Sequence, residues 1–169
     1  MARKAAVIIG VDKTGSLPPL KSAAAGALEV AAWLKEEGFD VRCLTDQDKD
    51  NPVKSGDVAD AIADFVTNPP RYALLVVYFS GHGVWHTKTD HWLLSKAPVT
   101  TTEAINLKSA MDLAGSSGIP NVVFVSDARR SMSEIREASA LSVERLRFTS
   151  FLWLHAYLLP PKLPLRATG

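Results

Sequence analysis

The stretch Tyr72-Ala73-Leu74-Leu75-Val76-Val77-Tyr78-Phe79 is the most apolar run in the chain and carries no charge. A continuous apolar run of this length suits a β-strand buried on both faces, as in the middle of a parallel sheet. It leads directly into Ser80-Gly81-His82-Gly83. Working outward, residues 5–11 form a second apolar run rich in Val and Ile, residues 39–44 are a further strand candidate, and residues 122–125 are another buried strand entered from Pro120. Between these runs the period changes. Residues 22–37 place Ala23, Ala27, Val30, Ala31 and Leu34 at helical spacing, with Gly38 as a stop. Residues 57–66 repeat the pattern with Val58, Ile62, Phe65 and Val66 before Pro69-Pro70, and residues 107–113 predict a short third helix. Strands alternating with helices imply right-handed crossovers and a parallel sheet covered on both sides. The predicted fold class is α/β, a three-layer sandwich with a mostly parallel sheet and helices on both faces.

The chain's 169 residues suffice for one such domain and are too few for two ordinary ones. A formal net charge of +1 gives no general pull toward nucleic acid or an anionic membrane. A single cysteine, Cys43, excludes an internal disulfide framework and a cysteine-rich zinc site. No apolar run approaches the ~20 residues of a membrane span, and the first residues lack the pattern of a signal peptide. The expectation is a cytoplasmic domain with no membrane span. Charge is unevenly spread: residues 1–128 hold twelve basic and fifteen acidic side chains, whereas residues 129–169 hold seven and three. The chain therefore divides into a domain over residues 1–148 and an apolar, Pro-rich C-terminal tail over residues 149–169. Leu159-Pro160-Pro161-Lys162-Leu163-Pro164 reads as extended.

In such a sheet, ligands and catalytic groups gather in the loops at the carboxyl ends of strands. Two of these loops carry unusual residues. Ser80-Gly81-His82-Gly83 reads as a sharp turn with positive φ that exposes the His82 imidazole, either for chemistry or merely to solvent. Ser126-Asp127-Ala128-Arg129-Arg130-Ser131 reads as a second loop, which could equally be a solvated, self-paired one. If their strands are neighbours, the two loops face one another, as a base and a nucleophile must.

Val77-Tyr78-Phe79-Ser80-Gly81-His82-Gly83 resembles the histidine motif of the caspase-like cysteine peptidases, in their bacterial and metacaspase branch. Val122-Val123-Phe124-Val125-Ser126-Asp127-Ala128 is similar to the strand that leads into that family's nucleophile, normally followed by Cys-Arg-Ser. The strand at residues 6–11, the helix at residues 20–34 and Asp90-His91-Trp92-Leu93-Leu94-Ser95 also resemble the family, so the likeness covers about residues 3–131. It implies a caspase–hemoglobinase-like fold in which His82 occupies the catalytic base position.

Three departures accompany the resemblance. Arg129 stands where the family has its nucleophilic cysteine, and a guanidinium offers no nucleophilic lone pair. Cys43 lies inside the second predicted strand and reads as a small core residue. Arg- and Lys-selective members hold the substrate's basic side chain with two acids. Asp127 matches one, but the other falls on Ala23-Ala24-Ala25-Gly26-Ala27, where Gly26 replaces it, leaving Arg129 free to pair with Asp127. Finally, the family's two strands after the nucleophile are not evident in residues 132–169.

Lesser signals take plain readings. Asp46, Asp48, Asp50 and Asp57 lack the glycine and glutamate of a calcium loop and read as an acidic turn. His82, His86 and His91 share one region without further ligands, so no metal or cofactor is expected. Trp85 and Trp92 flank His82, as anchors or as a groove wall, with Trp85 the candidate substrate contact. Ser80, Ser126 and Ser131 lie near His82, but no acid is evident to back a serine-type arrangement.

The expected function is a catalytically inactive caspase-like pseudo-peptidase that binds a protein or peptide, pairs with itself as a homo-oligomer, or regulates an active caspase-like protein. The alternatives are an active caspase-type cysteine endopeptidase whose cysteine is replaced here, and a serine-type hydrolase using His82. A further reading makes the tail from about Thr149 a truncated or frame-shifted remnant. Phe151-Leu152-Trp153-Leu154-His155-Ala156-Tyr157-Leu158-Leu159 is too apolar to stay exposed. It is expected either to fold over the open sheet edge or, preferably, to be covered by a second copy of the chain.

Overall fold

The computed structural model describes residues 2–48, 51–67, 72–86 and 88–130, and the backbone of residues 154–158. Four strands are mutually parallel: β1 (Lys4–Gly10), β2 (Phe39–Thr45), β3 (Leu74–His86) and β6 (Asn121–Arg130), in the spatial order β2-β1-β3-β6. Helices α1 (Ala23–Glu36), α2 (Ser55–Thr67) and α3 (Leu107–Gly115) connect them. Two short strands, β4 (Thr89–Leu93) and β5 (Ala104–Asn106), form an antiparallel extension of β3, and β7 (Leu154–Leu158) runs antiparallel to β6. No helix among the described residues is long and apolar enough to cross a membrane.

Alternation along the buried strands builds the three layers. Ala6 and Ile8 of β1 pack against Ala27, Ala31 and Leu34 of α1, joined by Val76 and Tyr78 of β3. The opposite faces of the same strands, with Val7, Ile9, Leu75, Val77, Phe79 and Phe124, meet Val58, Ala61 and Phe65 of α2 and Leu107 of α3. The α1 layer is thin because its residues are small. A Cβ added at Gly10 would sit 2.5 Å from the Ala27 Cβ and 2.8 Å from the Ala23 carbonyl oxygen.

The expected loops after Phe79 and Val125 are instead strand. β3 continues to His86 and β6 to Arg130, and they pair in register through Gly83 and Arg130. Gly81 and Gly83 are absent from the positive-φ glycines, which are Gly15, Gly38 and Gly118 among the described residues. Packing explains the two glycines. A Cβ at Gly81 would lie 2.6 Å from the Phe79 ring, which stacks on Trp92 with centroids 4.9 Å apart. A Cβ at Gly83 would lie 2.8 Å from the Ala128 Cβ on the neighbouring strand. β4 supplies the hydrogen-bonding partner that lets β3 continue. His82 and Gly83 pair with both β4 and β6, so β4 occupies the β1 side of β3, beyond Ser80 where β1 ends.

The edge of β6 that the tail was expected to cover or to offer to a second copy carries β7 of the same chain, with Asp127 opposite Leu154 and Val123 opposite Leu158. Ser131, Asp50, Pro69-Pro70 and the Leu159-to-Pro164 stretch lie outside the described residues.

The segment between β1 and α1 is held by two carboxylates. Asp46, at the end of β2 and 5% exposed, accepts the backbone N–H groups of Asp12 and Lys13 at 2.8 and 2.7 Å. This places Asp46 in a structural role within the turn. Asp12 in turn accepts from the N–H groups of Ala23 and Ala24 at 2.8 and 3.2 Å, satisfying the first turn of α1. Substitutions at two positions test this architecture by chemical denaturation. Gly10→Val is expected to cost about 3 kcal/mol or more, because the clash involves helix backbone that cannot move cheaply. Asp46→Ala is expected to cost about 2–3 kcal/mol by leaving two N–H groups without their charged acceptor, with Asp46→Asn intermediate.

Candidate functional site

Extending both strands has a direct consequence for the two motifs. In a parallel pair, residues in register present their side chains to the same face. His82 is paired with Arg129, and Ser80 with Asp127. Alternation from Val76 and Tyr78, which pack toward α1, places Ser80 and His82 on the α1 face as well. Tyr78, Ser80, His82, Asp127 and Arg129 therefore share one face at the carboxyl end of the sheet.

His82 is 2% exposed, not displayed to solvent as a turn residue would be. The segment between β1 and α1 covers it: Nε2 lies 2.9 Å from the Pro18 carbonyl oxygen. A carbonyl only accepts, so Nε2 carries the proton and Nδ1 is the basic nitrogen of the neutral ring. Pro18 is held there by its neighbours. Leu17 packs among Val84, Leu93 and Ala97, the Gly15 N–H donates to the Ser95 carbonyl at 2.9 Å, and the Leu20 N–H donates to the Asp12 carbonyl at 2.8 Å. Gly15 is required at that point, with φ +49° and the Ala97 carbonyl where a side chain would begin.

Asp127 is partly buried, and its Oδ2 accepts from the Tyr78 hydroxyl and the Ser80 hydroxyl, each at 3.3 Å. Burial, reinforced by the Asp127 charge, raises the Tyr78 pKa, so the phenol stays protonated as a donor. Arg129 is exposed. The ion pairs among the described residues are Arg3–Asp40, Arg42–Asp64 and Lys108–Asp112, so the expected pairing of Arg129 with Asp127 is replaced by neutral hydroxyl donors. Gly26 sits half-buried in the second turn of α1, with open space around the position of a Cβ.

Other singled-out residues lie elsewhere. Trp85 is 37% exposed and falls on the sheet face opposite His82. Trp92 is an anchor, 1% exposed, whose indole N–H donates to the Ser126 hydroxyl at 2.9 Å on that same opposite face. Ser126 thus points away from His82. Cys43, on β2, is separated from β3 by β1, and burial pushes its thiol pKa up. A cavity of about 300 Å³ opens at the end of β2, lined by Cys43, Thr45, Asp48, Asn51 and Asp57, also away from His82. Among the described residues no group of three or more potential metal ligands converges. Sequence reading missed Pro18, because a backbone carbonyl leaves no side-chain signal. It also missed Tyr78 as a partner of Asp127, although strand alternation from His82 would have found it.

Comparison with known proteins completes the description. Residues 3–150 match the caspase domain family. No curated protein matches the sequence. Among solved structures, the protein GSU0716 from Geobacter sulfurreducens is similar with a TM-score of 0.60 at 20% identity, over 82% of this chain and 55% of that one. The Drosophila initiator caspase Dronc is similar with a TM-score of 0.53 at 8% identity, over 79% of this chain and 58% of that one. The chain thus spans a little over half the length of these two structures, and at such identities they share its fold alone. A mostly parallel sheet between helical layers, a Gly-His-Gly strand paired with an Asp-Ala strand, and a family match over most of the sequence lead to one conclusion: the chain belongs to the caspase domain family.

Proposed function

We propose that this caspase-like domain lacks peptidase chemistry and acts by binding a protein or peptide, including a second copy or an active relative that retains the cysteine. The observation that carries the reading is the register pair His82–Arg129. Acyl transfer by this family's chemistry needs a thiolate beside the imidazole. Arg129 is a permanent cation there, with no electron pair to give. Cys43 is separated from His82 by β1, and its raised pKa disfavours the thiolate. What remains supports recognition. Asp127 presents a carboxylate held by two hydroxyls, a suitable partner for an Arg or Lys side chain of a bound peptide. Gly26, at the position of the family's second acid, leaves that pocket with a single carboxylate.

Incubation with Arg-, Lys- and Asp-containing peptides is expected to give no cleavage, and a thiol-directed probe is expected to label Cys43 alone. Peptidase activity that disappears in His82→Ala would overturn the reading. Arg129→Cys alone is expected to recover little turnover. Adding Gly26→Asp, which has space for its side chain, should raise any recovered kcat/KM toward Arg substrates by about tenfold or more, as one further charge-assisted contact implies. Full activity from Arg129→Cys without the second change would show that Gly26 is not the missing pocket acid.

A further inference from the structure

Among the described residues, one buried side-chain nitrogen has no hydrogen bond: Nδ1 of His91 on β4. His91 plays no part in the arrangement around His82, yet its other nitrogen is engaged. Nε2 lies 3.1 Å from Nδ2 of Asn106. Asn106 is both the last residue of β5 and the N-cap of α3, where its Oδ1 accepts the Ser109 N–H at 2.9 Å. The cap fixes which way the amide points. With its oxygen turned to the helix, Asn106 offers His91 only an N–H, so Nε2 accepts and the neutral ring carries its proton on Nδ1.

We propose that His91, Asn106 and the N-terminus of α3 form a proton-operated latch, closed by the neutral imidazole and opened when the ring takes a second proton. Imidazolium donates from both nitrogens, so its Nε2–H faces the Asn106 N–H. The amide can turn over to offer its oxygen to His91, but its N–H then faces the Ser109 N–H and the helix loses its cap. Either arrangement breaks one of the two bonds that tie β4 to α3 through Asn106.

The surroundings set the direction of the response. Burial is the largest influence and lowers the His91 pKa. The Thr89 backbone favours the proton, His86, with its ring 5.9 Å away, opposes it, and Asp90 favours it. From α3, Lys108 is turned toward Asp112 at 3.3 Å. The folded ring therefore holds its proton less tightly than the unfolded one, whose pKa is about 6.5. The latch is fully closed above that value and weakens as pH falls below it. β4 is also the strand beside His82, with Leu93 as its register partner, so opening loosens one flank of the candidate site.

The Ser109 amide reports the latch directly, through hydrogen exchange followed by NMR and corrected for intrinsic rates. Its protection is expected to fall measurably as pH drops from about 7.5 to well below the unfolded value of about 6.5, in step with titration of the His91 ring. Asn106→Asp supplies an acceptor to both sides, and is expected to reverse the trend so that protection rises over the same interval. Ser109 protection that does not follow the His91 titration in the unaltered chain overturns the proposal. So does an Asn106→Asp chain that folds and keeps the original direction. The unaltered chain decides the matter alone if the variant fails to fold.

Discussion

Everything at the carboxyl end of this sheet depends on the unbroken pairing of β3 with β6. Ten residues of each strand, from Leu74 opposite Asn121 to Gly83 opposite Arg130, stay in parallel register. A one-residue slip would send every side chain of one strand to the other face. The register therefore decides that His82 meets Arg129 and that Asp127 meets Ser80. It also sends Ser126 to the opposite layer, where its hydroxyl accepts from the indole N–H of Trp92 on β4. The small residues Gly81, Gly83 and Ala128 let the strands approach where the stacked Phe79 and Trp92 rings demand room.

Around that pairing the β1–α1 segment works as a strap rather than a free loop. Asp46 holds its beginning, Asp12 ties it to α1, and Leu17 buries its middle over Val84 and Leu93. The Pro18 carbonyl is consequently a fixed acceptor, and the His82 ring has one orientation imposed from outside its own strand. Two carboxylates that look like ordinary surface acids in the sequence thus set the geometry of a buried imidazole three elements away.

The layered fold was legible because its main strands are buried on both faces, and burial writes itself as continuous Val, Ile and Leu. The helices were legible from Ala27, Ala31 and Leu34 or Val58 and Phe65 recurring at helical spacing. The site was legible as residue types, but less so as geometry. Glycine beside His82 suggested a turn because its freedom at positive φ is its commonest use, whereas here it answers a steric demand from Phe79 and Ala128. β4 and β5 escaped notice because they are short and show no alternation, with Thr89-Asp90-His91 polar in succession, and a strand of three residues such as Ala104–Asn106 exists only because its neighbour does. The part played by Pro18 had no signal to read.

The steric role of Gly81 and Gly83 also bears on how such sequences are read. A position that serves only turnover carries no steric demand of this kind, and the place opposite His82 holds an arginine. The two glycines are not free in this way, since any larger residue collides with Phe79 or Ala128 whether or not a peptide is ever cut. Folding alone is therefore enough to constrain both glycines of Gly81-His82-Gly83, independently of any reaction at His82. Those glycines thus report on architecture, and a Gly-His-Gly stretch speaks for strand packing before it speaks for chemistry.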